Sequence, residues 1–131
     1  MALPLPQTNM PDTATIARFM SGVLAAIGVL HFAAPKPFDS IVPEQLPGDA
    51  RMYTYASGVA ELGTAALLAA PSTRRLGGLV ALLTFVGVWP ANFNMAYQWR
   101  DKPLPLRVGA YARLPLQIPM IIAAYRVWKR G

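Results

Sequence analysis

The chain has 131 residues, enough for one domain, and 54% of them are hydrophobic while only 14% are charged, where a soluble domain carries about 25%. Twelve Lys and Arg against six Asp and Glu leave a net charge of +6. Nothing forms a basic recognition helix, so the charge points to anionic lipid headgroups rather than nucleic acid. Cysteine is absent, which removes disulfides, thiolate metal sites and dithiol redox catalysis.

Four apolar stretches, 14–34, 53–70, 76–97 and 108–128, approach the ~20 residues a helix needs to cross ~30 Å of hydrocarbon. They predict an all-α protein, a single transmembrane domain over 1–131 built as an up-down four-helix bundle. The first stretch lies near the N-terminus but ends in His31 and Phe32 rather than a small-x-small cleavage site, and only Arg18 precedes its core. It is expected to be retained as a membrane helix.

Between the first two helices, residues 35–48 contain four prolines, Pro35, Pro37, Pro43 and Pro47, which fix φ and stop a continuous helix. An ordered loop is expected there. Phe38, Ile41, Val42 and Leu46 give it apolar surface, either as a lid across the mouth of the bundle or as an interfacial cover for helix ends.

The second helix carries Glu61. Val59, Leu62, Leu67 and Leu68 each contribute roughly −0.3 to −0.6 kcal/mol to insertion, against roughly +2.5 to +3.5 for a central acid. Ser57, Glu61, Thr64 and Leu68 recur at helical spacing, so the acid is expected to face other helices.

Pro90 in the third helix cannot donate its backbone bond, which frees the carbonyl of Val86 and permits a kink beside Asn92. Pro115 and Pro119 act likewise on the fourth helix near Arg113 and Gln117, so two helices are expected to be broken at this level. Arg113 is the expected partner of Glu61, since a guanidinium can hold a carboxylate through two parallel bonds and leave donors for Gln117, Asn92 or a ligand. A buried pair that only fixes helix register is the competing reading.

Alternating crossings bring the polar residues to one level. His31 lies near the end of the first helix, Glu61 in the first half of the second, Asn92 near the end of the third, and Arg113 and Gln117 in the first half of the fourth. Ionisable groups inside a membrane segment are functional candidates, and these five residues form the expected ligand-binding cluster. An imidazole near a carboxylate can also exchange a proton near neutral pH. One histidine and one carboxylate do not make a zinc site, so no metal is expected.

Arg18, Arg74, Arg75, Arg126, Lys129 and Arg130 fall on one face and Lys36, Arg51, Arg100, Lys102 and Arg107 on the other. The basic residues of the first face lie nearer the helix ends, so both termini are placed in the cytoplasm of a multi-pass cell-membrane protein.

Gly28-Val29-Leu30-His31-Phe32, Ile41-Val42-Pro43 with Leu46-Pro47, Ser57-Gly58-Val59-Ala60-Glu61-Leu62, Pro71-Ser72-Thr73-Arg74-Arg75, Trp89-Pro90-Ala91-Asn92 and Arg113-Leu114-Pro115-Leu116-Gln117 together resemble the DoxX family of small four-helix membrane proteins. The resemblance runs from about residue 18 to 125. It implies an integral membrane protein some of whose relatives belong to quinone-linked or other redox assemblies, such as thiosulfate:quinone oxidoreductase. No single reaction carries over.

Two functions remain open at this point. In one, the chain is an accessory subunit of a redox assembly that binds a small lipophilic ligand such as a quinone, with Arg113, Asn92 and His31 donating to its carbonyl oxygens and Glu61 holding the arginine. The chain has no haem, flavin or iron-sulfur motif, so electrons would come from partner redox subunits. In the other, it is a structural or assembly subunit whose polar network fixes helix packing and whose small residues meet other helices or a second copy.

Overall fold

The computed structural model describes residues 12–131. Its elements are helices alone: α1 (Thr13–Ala33), α2 (Lys36–Asp39), α3 (Ala50–Ala69), α4 (Arg74–Gln98) and α5 (Leu104–Arg130). The four long ones coincide with the four apolar stretches, but their ends are set by capping chemistry that hydropathy does not register. Asp12 starts α1 by accepting from the Thr15 amide at 2.7 Å, which satisfies an orphan donor of the first turn. Pro103 precedes α5 and Pro105 sits in its first turn, where a missing N–H costs nothing; α5 therefore begins four residues before the apolar stretch.

Two expectations are corrected. Residues 35–48 are not loop throughout, because Pro35 and Pro37 open the single turn of α2, with φ already suited to a helix start. Nor are the third and fourth helices broken, since α4 continues through Pro90 and α5 through Pro115 and Pro119. Side chains cross-link the two helices at carbonyls next to those that the prolines free. Gln117 Nε2 donates to the Phe85 carbonyl at 2.6 Å and Trp89 Nε1 to the Leu114 carbonyl at 3.1 Å, tying α4 to α5 at the level where the ladder is interrupted.

Each long helix packs against two others, α1 on α3, α3 on α4, α4 on α5 and α5 on α1. Neighbours run antiparallel. Thr13 near the start of α1 bonds the Arg130 carbonyl at the end of α5, and Ser21 bonds the Ala65 carbonyl of α3 at 2.7 Å. Close approach depends on glycine at several seams, two of which show it most sharply. A Cβ on Gly58 would lie 2.7 Å from the Phe32 ring and 2.9 Å from His31 Cβ, and one on Gly78 would lie 2.5 Å from the Trp128 backbone nitrogen.

The interior divides into halves. Ala17, Met20, Leu24, Ala65, Leu68, Ala81, Phe85, Ala124 and Val127 fill the half nearest the α1 start and α5 end. Of the five buried polar residues among those described, His31, Thr54, Asn92 and Gln117 lie toward the other half, and Thr64 adjoins Ala65 of the apolar one. Large apolar side chains point outward: Phe19 is 73% exposed, Val59 and Leu83 64% each. Among the long helices, α1 and α4 are long and apolar enough to cross a membrane, and only 28% of the apolar window of each is buried. Helices α3, with Arg51 and Glu61, and α5, with Arg107, Arg113 and three prolines, are more polar.

Candidate functional site

His31 stands in the last turn of α1, where its ring is almost fully buried. Its Nδ1 lies 2.8 Å from the Ile27 carbonyl oxygen. A carbonyl only accepts, so Nδ1 carries a proton and donates it there. The Phe38 ring of α2 covers the imidazole, with centroids 3.8 Å apart and planes 20° from parallel.

Glu61 projects from α3 toward the same point, and its Oε2 is 3.5 Å from His31 Nδ1. That approach is not a hydrogen bond, because the Nδ1 proton is already directed at Ile27. Glu61 Oε2 is buried and accepts no hydrogen bond. The closeness of the pair follows from the α1–α3 seam, where Gly58 admits His31 and Phe32.

Arg113 does not pair with Glu61 as the sequence suggested; no ion pair joins them among the described residues. Its Nη1 donates to Gln117 Oε1 at 2.9 Å and reaches Met120 Sδ at 3.2 Å. The reason is local: Gln117 lies one turn along the same helix face, and seven residues on, Met120 continues it. Gln117 is fully buried. Its Oε1 also accepts from Asn92 Nδ2 at 3.4 Å, while its amide is committed to Phe85.

Four of the five expected site residues, His31, Glu61, Asn92 and Arg113, line one cavity of about 640 Å³. Gln117 stands behind them and braces two of them rather than forming the wall. Phe38, Ile41, Val42, Pro43 and Leu46 from the α1–α3 connection form an apolar side, and Ser57 and Thr84 add hydroxyls. A second hollow of about 600 Å³ lies beside Gln98 and Arg100 and shares Val42, Pro43 and Leu46 with the first. The connection thus contributes to the walls of both hollows.

What holds the connection in place was missed in the sequence. Asp39, ending α2, accepts from Thr54 Oγ1 at 2.6 Å and from Arg51 Nε at 2.9 Å. The Thr54 hydroxyl, followed by Arg51, holds the Asp39 carboxyl below the usual aspartate range, outweighing its desolvation. Tyr53 adds a hydrogen bond from its hydroxyl to the Pro47 carbonyl. One signal was available: Thr54 extends the Ser57, Glu61, Thr64 face by one step of three residues. Among the described residues no three His, Cys, Asp or Glu gather where they could hold a metal ion.

Residues 20–128 match a family described as a domain of unknown function, DUF8561. The chain belongs to this family. No curated protein and no solved structure matches it. The span matched to DUF8561 runs from α1 into the last turns of α5 and contains every residue of the cavity and of the Asp39 contacts.

Proposed function

We propose that this chain is a DoxX-like, multi-pass integral membrane protein that holds a small lipophilic molecule in the cavity beneath the α1–α3 connection, as an accessory subunit of a redox assembly. The observation that carries the ligand reading is the cavity itself. About 640 Å³ lies within the ~300 to 1,000 Å³ usual for small-molecule sites. Its make-up also fits, with apolar side chains from the connection on one side and His31, Glu61, Asn92 and Arg113 on the other.

Membrane placement is supported by the large apolar side chains on the outer surface of the helices. Many alanines and several polar residues are buried together with Leu24, Leu68, Phe85 and Val127, while Phe19, Val59, Leu83 and Leu104 face outward, as expected where lipid surrounds the helices and small residues bring them together. We place all four long helices across the bilayer, both termini in the cytoplasm, and the proline-rich connection as a cap over the outer end. The redox assignment, and quinone as the example ligand, rest on the DoxX resemblance.

A second reading, a structural or assembly subunit, draws on one observation. Gln117 bonds Arg113 Nη1, Asn92 Nδ2 and the Phe85 carbonyl within the protein, as a packing lock would. Mass spectrometry of lipophilic molecules retained by the purified full chain in mild detergent separates the two. A molecule held near one per chain supports the ligand reading. An empty protein that copurifies with other membrane subunits supports the second.

A further inference from the structure

Resting on that ligand reading and membrane placement, we infer that the occupant of the cavity enters sideways from the bilayer core through a window between α3 and α4, and that it is an amphiphile whose alkyl chain stays in that window. Two glycines of α4 mark how the helices diverge. A Cβ on Gly77 would lie 2.8 Å from the Leu68 backbone nitrogen, so α4 leaves the turn pressed against α3, whereas a Cβ on Gly87 would meet nothing within 4 Å. Antiparallel counting from the contact of Gly77 with Leu68 sets Gly87 level with residues 57–60 of α3. Beyond the Thr73 contact in the turn, no hydrogen bond or ion pair among the described residues joins α3 to α4.

Ser57, Ala60, Gly87 and Val88 line the cavity and are also exposed. Ala60 shares a helix face with Ala56 and Gly63, and Gly87 with Leu83; these three neighbours are exposed and form no part of the cavity wall. Inner wall and outer surface therefore meet at Ala60 and Gly87, where a methyl group and a hydrogen leave the gap open. Ala60 stands midway along α3 and Gly87 midway along α4, so with both helices across the bilayer the window opens on hydrocarbon, ~15 Å from either headgroup layer. The connection side, by contrast, is fastened by the bonds of Asp39 to Thr54 and Arg51, by Tyr53 to Pro47 and by the stack of Phe38 on His31. An opening on hydrocarbon admits what is dissolved there, and a wall with His31, Asn92 and Arg113 behind it suits a polar end. Together they select a molecule with both parts, its polar end inside and its chain trailing into the bilayer.

The probe is hexadecanol carrying a mid-chain diazirine, whose hydroxyl both donates and accepts, added to the full chain in phosphatidylcholine vesicles. After illumination, mass spectrometry of peptides maps the labelled residues. The wild type is expected to be labelled at the half-buried Ile27 and Met95 of the cavity wall as well as at Phe19, which faces outward on α1. Gly87→Phe, whose ring has open space to occupy, is expected to lower labelling at Ile27 and Met95 about tenfold and to leave Phe19 unchanged. Circular dichroism checks that the variant remains helical, and Ala60→Phe closes the same window from α3. Asp39→Asn, which loosens the connection, is expected to change none of the three. Interior labelling that survives both window variants overturns the side entry and leaves the ligand reading standing, and a rise with Asp39→Asn would place the entrance under the connection instead. Disulfide-linked dimers of Gly87→Cys would show a second copy of the chain lying over the window and would overturn the inference equally. Absence of label from Ile27 and Met95 in the wild type removes both the window and the ligand reading.

Discussion

Phe38 lies flat on His31, with ring centroids 3.8 Å apart, and so joins the α1–α3 connection to the one histidine of the chain. The stack covers one face of the imidazole, and both rings line the cavity. Two side chains from different elements thus couple the position of α2 to the exposure of the site.

Phe38→Ala should uncover His31. Because the chain has a single histidine, its modification by diethyl pyrocarbonate reports on that ring alone. The variant is expected to react several times faster than the wild type and to lose about 0.5 to 1.5 kcal/mol of stability from the aromatic contact, plus the apolar area it exposes. Equal reaction rates in the two proteins would show that the stack does not control access.

Asp39 supplies a pH dependence whose sign is fixed by its contacts. Its folded-state carboxyl ionises below its unfolded value because Thr54 and Arg51 hold the charged form. Stability from this group is therefore fully present above the unfolded pKa of about 4. It is lost as pH falls through the lower folded value. Asp39→Asn should melt below the wild type from pH 5 to 8, with a constant gap, and the two curves should converge as pH falls below about 4. A gap that instead closes between pH 8 and 5 would assign the dependence to another group.

How far the site could be read from sequence differs between its parts. Helix existence was legible because the apolar stretches at 14–34 and 76–97 have the length of a long helix, and antiparallel alternation then brought His31, Glu61, Asn92 and Arg113 to one level. Pairing within that level was not. Arg113 bonds its own helix through Gln117, and His31 bonds its own helix through Ile27, local choices that compete with the cross-helix ion pair. The nearness of Glu61 to His31 depends on a close approach at Gly58, which spacing within one helix does not reveal. The Asp39–Thr54 contact crosses 15 positions and required the unforeseen turn of α2.

Topology is tested with a chain that has no cysteine of its own. Gln45 in the α1–α3 connection and Ser72 in the α3–α4 turn are both exposed, and the 20 residues of α3 separate them by about 30 Å at 1.5 Å per residue. With both termini cytoplasmic, Gln45→Cys should react with an impermeant maleimide in intact cells and Ser72→Cys only after lysis. The reverse pattern would invert the orientation, and labelling of both in intact cells would contradict a crossing by α3.

The last prediction concerns which partner Arg113 depends on. In the structure its Nη1 donates to Gln117 Oε1 at 2.9 Å, while Glu61 shares the cavity wall without an ion pair to it. Gln117→Leu removes that acceptor together with the donor to Phe85, and a fully buried site offers no water in exchange. The expected loss is about 2 to 3 kcal/mol. Arg113→Met should cost a similar amount, and the double variant clearly less than the sum, with a coupling of about 1 to 2 kcal/mol, because both single changes break the same charge-assisted bond. The cycle of Glu61→Gln with Arg113→Met should show a smaller coupling, since only their shared field connects them. Reversible unfolding in detergent measures both cycles. A larger coupling for Glu61 with Arg113 than for Gln117 with Arg113 would restore the direct pair that the helix spacing suggested and would remove the bare carboxylate oxygen from the site.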